Sequence, residues 1–97
     1  MKAVFIAADQ AYYQRIVDLL LRINCRGFTA LEQVQGRGSK TGEPHYGSHA
    51  WPSLASALIT IVDDDRVEPL LAKLHQMDTA TPKLGLRAFV WNIEATI

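Results

Sequence analysis

Apolar residues fall into six runs along this chain, and the spacing within each run says which element it forms. Lys2 to Ala8 is apolar almost without interruption, through Val4, Phe5 and Ile6, and is too short for a helix. It predicts a strand apolar on both faces. Asp9 or Gln10 then opens a helix in which Ile16, Leu19, Leu20 and Ile23 recur at helical spacing while Arg15, Asp18 and Arg22 face water. Asn24 to Gly27 ends it, because asparagine and glycine accept the left-handed backbone that closes helices. Phe28 to Gln35 mixes β-branched, aromatic and polar residues as a half-exposed strand does. Its alternation slips near Ala30-Leu31, where a bulge restores the phase. Leu54 to Val62 is a second, nearly continuous apolar run and hence a second central strand. Asp63-Asp64-Asp65 caps the next helix with charge that the helix dipole favours. Val67, Leu70, Leu71, Leu74 and Met77 form its single apolar stripe, and Pro69 lies early enough to be tolerated. That helix ends by Asp78 or Thr79. Beyond a turn marked by Pro82 and Gly85, Arg87 to Ile93 alternates Phe89, Trp91 and Ile93 against Ala88, Val90 and Asn92 as a last strand, with Trp91 read as structural.

Strand, helix, strand, long loop, strand, helix, strand is the ferredoxin-like β-α-β-β-α-β order of an α+β protein, with the two apolar strands central in a four-stranded antiparallel sheet. The 97 residues are expected to make one domain, 1–97. Two helices cover only one face of such a sheet, whereas the first and third strands carry apolar side chains on both. A bare apolar face of that size predicts self-association.

The long loop, Gln35 to Pro52, changes the picture from frame to function. It holds four of the six glycines and two of the three histidines and has no apolar period. Loops of this length in small domains are binding surfaces or lids when they are ordered. Gly36-Arg37-Gly38-Ser39-Lys40-Thr41-Gly42 can turn several backbone amides toward an anion beside the cations of Arg37 and Lys40, but it is not the Walker pattern, which also needs a helix directly after it. His45 and His49, four apart with Glu43 close by, can take part in a divalent-metal site if an oligomer supplies further ligands. Trp51 before Pro52 either anchors the loop's return or presents an aromatic to a partner. His75 reads as a surface residue of the second helix.

Charge and cysteine use narrow the classes. Ten acidic and ten basic residues balance, so no net field draws the chain to nucleic acid. Cys25 is the one cysteine, a packed thiol where the first helix ends, and no Cys-x-x-Cys spacing points to zinc or redox chemistry. The apolar opening is too short for a signal-peptide core or a membrane span, so a cytoplasmic location is expected. The chain shows no nucleophile tied to a base, no carboxylate pair and no redox-cofactor motif.

Gly27-Phe28-Thr29 entering the second strand, Gly36-Arg37-Gly38 closing it, the loop running to Trp51-Pro52, the aspartate-led second helix and the final Phe89-Val90 strand together resemble the PII signalling family, over nearly the whole chain. The resemblance implies a homotrimer of ferredoxin-like subunits. It also implies ATP, ADP or AMP bound in clefts between subunits, and a long T-loop that docks on a target enzyme or membrane transporter: a sensor-regulator and not an enzyme. Position by position, Thr29 matches the threonine of the family's Gly-Met-Thr motif near the adenine. Gly36 and Gly38 match the glycines at the T-loop base. Arg87 falls where the lysine of the Gly-Asp-Gly-Lys phosphate loop lies, preceded here by Leu84-Gly85-Leu86. Tyr46, Glu43 and Trp51 fall in the partner-facing loop. The chain ends at Ile97, short of the basic segment that follows in standard members, so it resembles the divergent PII-like relatives of the nitrogen regulatory superfamily more than the core. Ligand binding is thus expected at Thr29, Gly36, Arg37, Gly38, Lys40 and Arg87. Two alternatives stay open: a metal-binding trimer of CutA-like architecture using His45 and His49, and a small ferredoxin-like enzyme.

Overall fold

The computed structural model describes residues 1–25, 27–35, 54–82 and 85–97. Their elements are β1 (Lys2–Asp9), α1 (Tyr13–Arg22), β2 (Phe28–Val34), β3 (Ala55–Val62), α2 (Asp64–Ala80) and β4 (Arg87–Asn92). The strands form one antiparallel sheet in the order β2-β3-β1-β4. The two runs that lack polar alternation, β1 and β3, are therefore the central pair, as the ferredoxin-like order requires.

Asp9 ends β1 and starts the turn into the helix. Its carboxylate accepts a hydrogen bond from the Ala11 N–H at 2.8 Å, and one tight 3-10 turn over Gln10–Tyr12 precedes α1. The helical segment thus opens tighter than an α-helix before relaxing into one. At its far end Asn24 takes a φ of 67°, its N–H reaches Leu21 O at 3.2 Å, and the Cys25 N–H reaches Leu20 O at 2.7 Å. These are the paired bonds of a Schellman close, and the Cys25 side chain packs inward behind them.

Two local expectations are corrected. Asp63 stands at the N-cap position of α2, but its side chain makes no capping hydrogen bond. The Arg66 N–H bonds to the Asp63 carbonyl instead, at 3.0 Å. Asp64 and Asp65 place negative charge in the first turn, where the helix dipole favours it. The bulge in β2 lies beyond Ala30-Leu31. Pairing with β3 holds through Leu31↔Ala57, and the register shifts between Leu31 and Val34, where Gln33 takes a left-handed φ of 58°. The apparent slip in the sequence is an exposed leucine, Leu31, on the face away from the helices.

Val4, Ile6, Leu58, Ile16, Leu20 and Leu74 join sheet and helices in one core. The Thr60 hydroxyl, fully buried on β3, donates to the Gly27 carbonyl at 2.7 Å and fixes the entry into β2. Replacing Thr60 with valine keeps the shape and removes that donor. It is expected to lower stability by about 1 kcal/mol, measured by urea denaturation.

The opposite sheet face is organised in three cross-strand rows. Leu31, Ala57 and Ala7 form one, in register with Arg87, whose side chain turns over the strand edge to α2; Thr29, Ile59, Phe5 and Phe89 form the second, and Ile61, Ala3 and Trp91 the third. Leu31 is 52% exposed, Ile61 45%, Phe89 58% and Trp91 48%, so among the described residues nothing covers this face. Trp91 is accordingly no part of the subunit's own core.

Candidate functional site

Thr29 lies on β2 and Arg87 opens β4, and these strands are the two opposite edges of the sheet. Three interstrand steps separate them, roughly 14 Å at the usual spacing. Between the two edges, in the row that holds Thr29, the sheet presents Ile59 and Phe5. A charged ligand has no polar footing across that apolar surface. The residues expected to hold the two ends of one ligand thus stand apart within a subunit.

Arg87 is held by α2. Its Nη1 donates to both carboxylate oxygens of Asp78, at 3.2 and 3.3 Å, and to the Leu86 carbonyl at 2.6 Å. The pair borders a cavity of about 360 Å³ between α2 and β4 that Leu71, Leu74, His75 and Leu86 also line. The turn leading into β4 is set by Gly85, whose φ of 65° suits glycine and whose N–H bonds to Pro82 O at 3.1 Å. Asp78 escaped the sequence reading. The signal available was an acidic residue near the C-terminal end of a helix whose last turn carries no basic side chain.

Gly36, Arg37, Gly38, Lys40, Glu43, His45, Tyr46, His49 and Trp51 lie outside the described residues. On the return side the Gln10 N–H bonds to Leu54 O at 2.9 Å, tying the chain there to the turn after β1. Gln10, Gln14, Gln33 and Ser56 border one cavity of about 240 Å³, so departure and return lie near each other. Among the described residues no group of three or more histidine, cysteine or acidic side chains is arranged to hold a metal. His75 is exposed on α2, as read from the sequence.

Cys25 is buried at the end of α1. Burial pushes its thiol pKa up, and the Arg66 guanidinium pulls weakly the other way. A raised acid pKa favours the folded thiol below the ordinary thiol range, and that contribution is lost as pH rises through the folded value. At neutral pH Cys25 is a protonated packing residue and not a nucleophile. No helix among the described residues is long and apolar enough to cross a membrane.

Comparison with known proteins bears on the fold and the family. Of solved structures, CPII from Thiomonas intermedia K12, a nitrogen regulatory PII-like protein bound to ADP, AMP and bicarbonate, is 23% identical with a TM-score of 0.77, over 95% of this chain and 84% of that one. Its apo form is 22% identical with a TM-score of 0.73, over 95% and 87%. A PII-like signaling protein from Thermus thermophilus is 24% identical with a TM-score of 0.67, over 95% and 84%. No curated protein sequence matches the chain. At these identities the structures establish the shared fold, while the family model of the nitrogen regulatory protein P-II matches residues 1–97 throughout. The chain belongs to the nitrogen regulatory protein P-II family.

Proposed function

We propose that this chain is a single-domain, homotrimeric PII-like regulator that senses an adenine nucleotide, ATP, ADP or AMP, in clefts between subunits. It passes the signal to a target enzyme or membrane transporter through the loop at 36–52. The observation that carries the reading is the family match over the full 97 residues. The sheet order is compatible with such a cleft: β2, with Thr29, and β4, with Arg87, are the two edges, and in a closed ring the β2 edge of one subunit would meet the β4 edge of the next. The uncovered apolar rows supply the surface for such a ring. The nucleotide class is supported by the ADP and AMP bound to CPII. Bicarbonate, also bound there, belongs in the same panel of effectors. The protein acts in the cytoplasm, and its output is a change of loop arrangement and not a turnover.

In this reading Arg87 meets the phosphates and the bound anion draws the cations of Arg37 and Lys40 inward, favouring one loop arrangement over another. The shift can be no larger than the ligand's difference in affinity for those arrangements. Titrating ADP and ATP by calorimetry tests this. Arg87→Gln is expected to weaken both by about tenfold, the loss of one charge-assisted hydrogen bond. Unchanged affinities remove Arg87 from the site, and no nucleotide binding to the unaltered protein ends the proposal.

A further inference from the structure

We propose that Asp78 sets which nucleotide the cleft prefers, by placing a competing negative charge on the guanidinium that meets the phosphates; this rests on the assignment of Arg87 above. Asp78 stands two residues before the end of α2, where the carbonyl end of the helix dipole disfavours a carboxylate. The last turn has no basic side chain of its own to offset it. The compensating charge comes from outside the helix, from Arg87 at 3.2 Å.

That pairing is of an exchangeable kind. The side chains keep 38% and 24% exposure, so water and solutes reach both, and ion pairs of this sort are held weakly. Among the described residues the Arg87 side chain donates through Nη1, which faces three oxygens, two of Asp78 and one of Leu86. The remaining donors of the fork are on Nε and Nη2. A phosphate that meets Arg87 from that side does so a few ångströms from the Asp78 carboxylate. The repulsion it feels grows with its own charge, so it is smallest for a monophosphate and largest for a triphosphate. Asp78 therefore acts as a specificity-determining residue that trims the cleft's affinity for ATP more than for ADP, and for ADP more than for AMP.

Asp78→Asn removes the charge, keeps the size and an acceptor for Arg87, and relieves the helix end, so the variant is expected to fold. Calorimetric titration of the full chain with ATP, ADP and AMP, in the unaltered protein, Asp78→Asn and Arg87→Gln, decides the matter. The expected result for Asp78→Asn is a graded gain in affinity, about tenfold for ATP and about twofold for AMP, with ADP between. A gain equal for all three, no change, or a loss overturns the role given to Asp78, since a merely structural brace does not sort ligands by charge. If Arg87→Gln weakens binding while Asp78→Asn shows no gradient, only this inference falls. If Arg87→Gln changes nothing, or neither the unaltered protein nor Asp78→Asn binds a nucleotide, the site assignment falls and takes the inference with it.

Discussion

Ile59→Asp is expected to leave the protein as single, folded subunits, read as one-third of the parent mass by light scattering at micromolar concentration. Ile59 lies in the middle row of the uncovered sheet face, between Thr29 on β2 and Phe5 on β1, with Phe89 beyond. In the free subunit a carboxylate here meets water and does little harm to the core on the other side of the sheet. In a ring the same face is shut away from solvent, and each subunit brings its own unpaired charge into it. Burying such a charge without a partner costs several kcal/mol. The change is thus aimed at assembly and not at folding, so the far-ultraviolet circular dichroism should stay as it was. A variant that keeps the parent mass shows that this face is not the interface, and a parent protein that is itself monomeric rules out the ring.

Its neighbour in sequence is expected to act in the opposite way. Leu58 points to the helices, has no exposed surface, and packs in the core with Val4, Ile6, Ile16 and Leu74. Truncating it to alanine removes the transfer free energy of the lost carbons and leaves a cavity that a central strand, paired on both sides by β2 and β1, cannot easily collapse into. The expected loss is about 3 kcal/mol, measured by urea denaturation at fixed protein concentration. A loss below about 1 kcal/mol means that the helices close onto the gap. Leu58 and Ile59 together make a direct check on which face is which, since one change is read in the midpoint of unfolding and the other in the mass.

Much of this was legible from the sequence because central strands and amphipathic helices leave different periods. Val4-Phe5-Ile6 and Leu58-Ile59 announce strands that are apolar on both faces, and both proved central. Ile16, Leu19 and Leu20 mark the buried stripe of α1, and all three are buried. What was less legible depends on three-dimensional register. The alternation slips on paper at Ala30-Leu31, but Leu31 is a surface residue in phase, and the irregularity falls at Gln33 instead. Trp91 looked structural by type, yet its strand is an edge whose outer row is bare. The partnership of Asp78 with Arg87 spans the turn between α2 and β4, a spacing that belongs to neither helix nor strand periodicity. Thr29 and Arg87 were both marked by resemblance to a family motif. That they occupy opposite edges followed from the central placing of the two apolar strands, and the observed strand order agrees.

That separation has a consequence for how a ring of such subunits responds. If the proposed cleft is right, every copy would contribute one edge to the pocket on its left and the other edge to the pocket on its right, so no pocket could be filled without engaging two copies, and no copy would serve a single pocket. One damaged copy would then disable two binding events, and filling one pocket would perturb chains that also furnish the others. Communication around the ring would need no dedicated relay: it would follow from the order in which four strands lie side by side.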